Sequence, residues 1–234
     1  MPAGIYLQEE YTDTLREECG VFGIFSASRS ELAPLAYFGL YALQHRGQES
    51  AGIVVNDDGV FCACRDTGLV NEIYSADRLN SLGCGNIAIG HVRYATTGAD
   101  SKRNIQPLLI NHRKGRMALA HNGNLTNSYE LRNALEERGS IFHTTTDSEV
   151  IAYMIVQERL RHGSIEEAVS AAMDTLEGAY SLVISSPAQL IAATRLSKSK
   201  MSQIVLMGRL MVICVQLSSG RFSLTVDVAT MSPL

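Results

Sequence analysis

Between Cys19 and Ala193 short β-type runs alternate with patterned helical stretches, and no linker interrupts them. The runs are CGVFGIF (19–25), AGIVV (51–55), GVFCACR (59–65), NIAIGHVRY (86–94), MALAHNG (117–123), SLVISS (181–186) and QLIAA (189–193). Their length and their content of branched and aromatic residues predict strands of a mixed or antiparallel sheet system. Of the helical stretches, ELAPLAYFGLYALQHRG (31–47) places Leu32, Leu35, Ala36, Gly39, Leu40 and Leu43 on one face and stops at Gly47. NSYELRNALEERG (127–139) presents Leu131, Ala134 and Leu135. DSEVIAYMIVQERLRHG opens near Asp147, and SIEEAVSAAMDTLEG begins with Ser164 and Glu167 at capping-box spacing. Without repeats, low-complexity segments or a Pro/Gly/Ser-rich divide, residues 19–195 read as one α+β domain. The tail from 196 is different, polar and basic at first and then apolar with poor turn signals.

Composition narrows the classes of function. The chain has 234 residues, 46% hydrophobic and 19% charged, with a net charge of −4. That is long enough to bury a core and too acidic for a polyanion-binding surface, so nucleic acid and anionic membranes are not expected partners. The longest apolar run, IVLMGRLMVICV (204–215), is short and carries Arg209, so no membrane span is expected. Five cysteines, at 19, 62, 64, 84 and 214, form no CxxC pair. Neither a metal site nor a disulfide framework is expected, and a reducing cytoplasm is the default compartment.

Polar residues that close apolar strands are candidates for chemistry. Arg93 follows NIAIGHV, and its planar fork suits a carboxylate, although such an arginine is more often solvated or ion-paired. His121-Asn122-Gly123-Asn124 closes MALA. An Asn-Gly pair is commonly only a turn, but the Asn122 amide and the Gly123 N–H can also serve one oxygen, as a tetrahedral oxyanion requires. Asp147 at a helix start is by default a cap or first-turn acid; its other use is to hold a substrate ammonium, so that Arg93 and Asp147 grip an α-amino acid at both ends. The loop QHRGQES (44–50) contains Arg46.

Cys19 follows Glu17-Glu18 and opens the first strand. A small buried cysteine would explain it structurally. As a nucleophile it would need a base, and none of the six histidines stands at a Cys/His family spacing. Cleavage between Glu18 and Cys19 would supply one, because an α-amine titrates at about 7.7–8.0 and can take the thiol's proton. The first eighteen residues, with five acids against Arg16 alone, do not read as a secretory signal.

In order along the chain, EECGVFGIF, YALQHRGQESAGI, GHVRYATTG, ALAHNGNLTN and TTTDSEV resemble the glutaminase domain of class II glutamine amidotransferases, N-terminal-nucleophile (Ntn) hydrolases. The branch they resemble most is that of the amidophosphoribosyltransferases of purine synthesis. The resemblance covers roughly residues 16–193 and implies a four-layer αββα sandwich. It implies a propeptide at 1–18 and an amidotransferase domain over 19–234, with a recognisable core at 19–195 and a divergent tail at 196–234. By the same resemblance Cys19 is the nucleophile, its freed α-amine the general base, and Asn122 and Gly123 the oxyanion hole. Arg93 binds the glutamine α-carboxylate, Asp147 binds its α-ammonium, Arg46 supports the site, and the segment from Arg93 to about Asn104 closes over glutamine. The activity implied is hydrolysis of glutamine to glutamate and ammonia through a γ-glutamyl thioester.

The resemblance also marks departures. After LIAA the family continues with Asp-Pro, a Gly and Arg-Pro, whereas this chain reads Thr194-Arg195-Leu196-Ser197-Lys198, and only LMGRL (206–210) echoes the expected strand. No phosphoribosyl pyrophosphate loop is found, so the phosphoribosyltransferase domain is expected to be absent and the C-terminus truncated or altered. Phosphoribosyl pyrophosphate, with the Mg that relatives use, would then be a partner only through that domain. Some relatives hold an iron–sulfur cluster, but this chain is expected to hold no cofactor. A homo-oligomer is compatible with the resemblance. Other readings are a non-catalytic or defective fragment that binds glutamine or a full-length partner, and a glutaminase subunit of another class II amidotransferase.

Overall fold

The structure is a computed structural model that describes residues 19–94 and 102–195, and the backbone of 202–206, 211–218 and 221–227. The propeptide expected at 1–18 and most of the expected closing segment lie outside the described residues. The chain runs β1 (Gly20–Ser30), α1 (Ala33–Ala42), β2 (Ser50–Asp57), β3 (Val60–Thr67), α2 (Val70–Ile73), α3 (Ala76–Asn80), β4 (Gly85–Arg93), β5 (Leu108–His112) and β6 (Gly115–Leu125). It continues through α4 (Ser128–Glu137), α5 (Asp147–Arg161), α6 (Ile165–Thr175), β7 (Gly178–Ser185), β8 (Leu190–Arg195), β9 (Ser202–Leu206), β10 (Met211–Ser218) and β11 (Arg221–Asp227).

Two antiparallel sheets result, one ordered β11-β10-β1-β4-β2-β3 and the other β5-β6-β7-β8-β9. Strand alternation gives each sheet two apolar faces. Val21, Val54, Ile87 and Ile89 of the first sheet pack against Ala118, Ala120, Val183, Leu190 and Ala192 of the second. The outer face of the first sheet, with Phe22, Ile24, Ile53 and Val92, is covered by α1 and α2 through Ala36, Leu40 and Val70. The outer face of the second, with Leu119, Leu182 and Ile191, is covered by α5 and α6 through Ile151, Ile155 and Val169. The order of layers is helix, sheet, sheet, helix, which is the expected αββα sandwich.

Several elements differ from the sequence reading. The first helix ends at Ala42, and a separate 3-10 turn, Gln44–Arg46, follows it. Leu35, expected on its buried face, is 46% exposed, together with Phe38 and Tyr41. The helix is apolar on nearly every side, so its sequence pattern could not say which side meets the sheet. Strand β5 and the short helices α2 and α3 were not expected, because four or five residues carry too little periodicity to announce themselves. The helix α6 does open with the capping box of Ser164 and Glu167. The unplaced tail supplies backbone to both sheets, with β9 paired to β8 and β10 paired to β1.

Candidate functional site

The alternation that builds the core also selects the side chains that meet at one end of it. Cys19 immediately precedes β1, in phase with Val21, which faces the second sheet. On β4, His91 and Arg93 continue the face of Ile87 and Ile89; on β6, Asn122 continues that of Ala118 and Ala120. Because β1 and β4 pair Gly20 with Val92, Cys19 and Arg93 lie at the same end of the ladder. A direct bond crosses between the sheets here, from His91 Nε2 to the backbone oxygen of His121, at 3.1 Å.

Asn122 and Gly123 are not in a turn, as an Asn-Gly pair would ordinarily suggest. They lie inside β6, opposite Ser181 and Tyr180 of β7, and the strand continues to Leu125. Gly123 holds φ at 125°, and a Cβ there would overlap the Ala179 carbonyl oxygen, so both conformation and space require glycine. Asn122 is 2% exposed, and its amide nitrogen has no hydrogen-bond partner among the described residues. A buried amide donor without a partner is costly in a folded protein unless a ligand atom is to meet it. Ser181 stands across the ladder from it and is linked to Thr194 at 3.3 Å, a polar pair on the face that otherwise carries Val183 and Ala192.

Arg93 is 9% exposed, and its Nε lies 3.7 Å from Glu49 Oε2. Glu49 is held in turn, its N–H donating to the Arg93 carbonyl at 3.0 Å and its own carbonyl accepting from Gly68 N–H at 2.8 Å. Both residues act on Cys19. Burial pushes the thiol up from its ordinary value; the Tyr94 backbone N–H and the Arg93 charge pull it down, Glu49 adds to the rise, and the net direction is upward. The sulfur is therefore a thiol near neutrality, and attack requires a base that removes its proton. Arg46 sits in the 3-10 turn that packs beside β4, half-buried, in the loop that leads to Glu49.

Asp147 is the first residue of α5. Its Oδ2 accepts the Leu125 N–H at 3.0 Å, and its Oδ1 lies 3.4 Å from His121 Nδ1. Burial works to raise its carboxyl, but the His121 imidazole and the backbone N–H groups outweigh it and hold the group below the usual value. His121 points to the helix side of the sheet, opposite to Asn122, where its Nδ1 is 3.1 Å from Ser148 Oγ. The loop before Asp147 is shaped by Glu149, whose carboxylate accepts the N–H groups of His143 and Thr144. It is tied to the segment before β5 by two hydrogen bonds, Asn104 Nδ2 donating to Thr145 Oγ1 at 2.9 Å and Thr145 N–H donating to Asn104 Oδ1 at 3.2 Å.

The structure thus brings Cys19 and Arg93 to one end of the first sheet and Asn122 and Gly123 to the facing strand, with Asp147 at the helix start that adjoins Leu125. Glu49 and His91 were not singled out from the sequence. Glu49 lies within QHRGQES and His91 within GHVRYATTG, but only pairing shows that each reaches the Cys19 end of the sandwich. Among the described residues no group of three or more His, Cys, Asp or Glu could hold a metal ion, and no helix is long and apolar enough to cross a membrane.

Residues 91–199 match the family described as the glutamine amidotransferase domain. An amidophosphoribosyltransferase of Synechocystis is 47% identical over 186 residues, 79% of this chain and 37% of that protein. The protein of that name from Bacillus subtilis is 43% identical over 180 residues, again 37% of its length, so this chain spans little more than a third of these relatives. Among solved structures, an allosteric regulatory enzyme of purine biosynthesis superposes with a TM-score of 0.70 at 32% identity, over 89% of this chain and 49% of the other. A glutamine phosphoribosylpyrophosphate amidotransferase from B. subtilis, complexed with ADP and GMP, gives 0.68 at 32%, over the same shares. A glutamine amidotransferase from Pseudomonas aeruginosa, at 13% identity and a TM-score of 0.53, shares the fold.

Proposed function

The chain belongs to the glutamine amidotransferases, with a domain of the Ntn-hydrolase fold like the N-terminal part of amidophosphoribosyltransferases, and from that premise we propose that it is a glutaminase whose ammonia serves phosphoribosylamine formation in purine synthesis. The observation that carries the reading is the buried Asn122 amide, unpartnered among the described residues, beside a glycine locked at positive φ, on the face turned toward the Cys19 strand.

The proposed steps use this chain's own groups. Removal of residues 1–18 frees the α-amine of Cys19, which takes the proton from the half-buried thiol as sulfur attacks the side-chain carbonyl of glutamine. The oxyanion that forms is met by the Asn122 amide and the Gly123 N–H. Collapse expels ammonia, with the proton returned by the α-ammonium, and leaves a γ-glutamyl thioester, which water cleaves to glutamate. Arg93 receives the α-carboxylate and Asp147 the α-ammonium of the substrate, while Arg46 supports the loop that carries Glu49. Transfer of ammonia to phosphoribosyl pyrophosphate belongs to the part of the relatives' length that this chain does not span. The free cysteines at 19, 62, 64 and 84 fit a cytoplasmic setting.

The test is the intact mass of the purified chain before and after treatment with diazo-oxo-norleucine. Loss of residues 1–18 and a single adduct on Cys19 are expected, and Cys19→Ala should abolish both processing and glutamine hydrolysis. A full-length mass without an adduct would overturn the proposal.

A further inference from the structure

Strand β6 loses one neighbour just before it reaches Asn122. Strand β5 begins at Leu108, opposite Leu119, so among the described residues β6 is paired from Ala120 onward on one side only, to β7. In an antiparallel strand the N–H and C=O of one residue point to the same side. At His121 that side is the one β5 has vacated, and two side chains from elsewhere occupy it. The His121 N–H donates to Gln106 Oε1 at 2.7 Å, and its carbonyl accepts from His91 Nε2 at 3.1 Å.

Neither clamp is incidental to a wet edge. His91 is 0% exposed, His121 3% and Gln106 6%, so a peptide group left without a partner here would find no water. A carbonyl can only accept, which places the His91 proton on Nε2. Burial holds the ring neutral by driving its pKa down to about 3. Gln106 is itself fixed, because Arg65 donates to the carbonyls of Ile105 and Pro107 at 3.1 and 3.0 Å. Gly52 completes the seat, since any Cβ there would overlap the Gln106 carbonyl oxygen.

We propose that His91 and Gln106 are positioning residues of the oxyanion hole: by holding both hydrogen-bonding groups of the His121 peptide, they set where β6 delivers the Asn122 amide and the Gly123 N–H. The proposal rests on the glutaminase reading above. Its physical ground is that donors in a dry site stabilise a developing charge only if they are in place beforehand, and a displacement of about 1 Å is enough to lose much of the effect.

The test uses the full chain with His91→Leu, His91→Gln and Gln106→Leu. A glutamine at 91 can present an amide N–H where Nε2–H stands, whereas leucine cannot. His91→Leu and Gln106→Leu should each lower kcat for glutamine hydrolysis about tenfold to a hundredfold with KM kept within about threefold, and His91→Gln should recover most of the loss. In a chain already carrying Asn122→Ala, His91→Leu should cost less than it does in the wild type, since one of the two donors it positions is gone. Equal losses in His91→Leu and His91→Gln, an undiminished loss in the Asn122→Ala background, or unchanged kcat would each overturn the proposal. Denaturant midpoints check folding, and if His91→Leu does not fold, His91→Gln and Gln106→Leu carry the test. A wild-type chain without glutaminase activity would overturn the functional reading and this proposal together, whereas an active wild type with indifferent variants would overturn this proposal alone.

Discussion

Arg93 Nε stands 3.7 Å from Glu49 Oε2 in a largely buried pair, and the two charges act on the Cys19 thiol with opposite sign. Glu49→Gln leaves the Arg93 charge unopposed and should move the pH midpoint of Cys19 alkylation by iodoacetamide downward. Arg93→Gln removes the favourable charge and should move it upward. Mass spectrometry of the Cys19 peptide against pH reads both, and midpoints that move in the same direction would refute the arrangement.

Arg93 and Asp147 are proposed to hold the two charged ends of glutamine. Removing either charge costs the complex charge-assisted bonds worth about 1.5–3 kcal/mol, so Arg93→Gln or Asp147→Asn should raise the glutamine KM about tenfold to a hundredfold. Initial rates across glutamine concentration measure this, and an unchanged KM in both variants would discard the assignment.

Asn122 and Gly123 should fail in different ways. The Asn122 amide has no partner to lose among the described residues, so Asn122→Ala should keep stability within about 1 kcal/mol while kcat falls about 10²–10³-fold. Gly123→Ala meets both a left-handed φ and the Ala179 carbonyl, and should cost at least about 2 kcal/mol of stability. Urea midpoints beside glutaminase assays separate the two outcomes.

Acid should weaken the fold through two buried groups. The carboxyl of Asp147 is held below its ordinary value, so its contribution is complete above about pH 4 and is lost as pH falls through the folded value. His91 is depressed to about 3 from an ordinary 6.5; it costs nothing above that ordinary value, and the native state loses up to roughly 5 kcal/mol as pH falls from there toward 3. His91→Gln should flatten the stability profile over the upper part of this window and Asp147→Asn over its acid end, as urea midpoints between pH 7 and 3 would show.

Much of the fold was written into periodicity. The runs around Val21, Ile53, Ile89, Leu119 and Val183 became strands, and the pattern from Ser164 to Leu176 became a capped helix, because period and cap chemistry act within a few residues. The types of residue that could do chemistry were also visible, namely a cysteine before the first strand, an arginine after another, an Asn-Gly pair and an acid at a helix start. Tertiary structure alone decided how they are used. Asn122 and Gly123 lie in a ladder with β7 rather than in a turn, since β7 comes from more than fifty residues further on and no local signal reports it. Leu35 faces solvent because a helix that is apolar nearly all round takes its orientation from the sheet it meets. Glu49 reaches Arg93 because β2 and β4 pair Ser50 with Arg93, and His91 reaches the His121 carbonyl only because two sheets pack face to face with their strand ends aligned. A sequence fixes which face of a strand each side chain occupies; the distance between two such faces is a property of the packed sandwich.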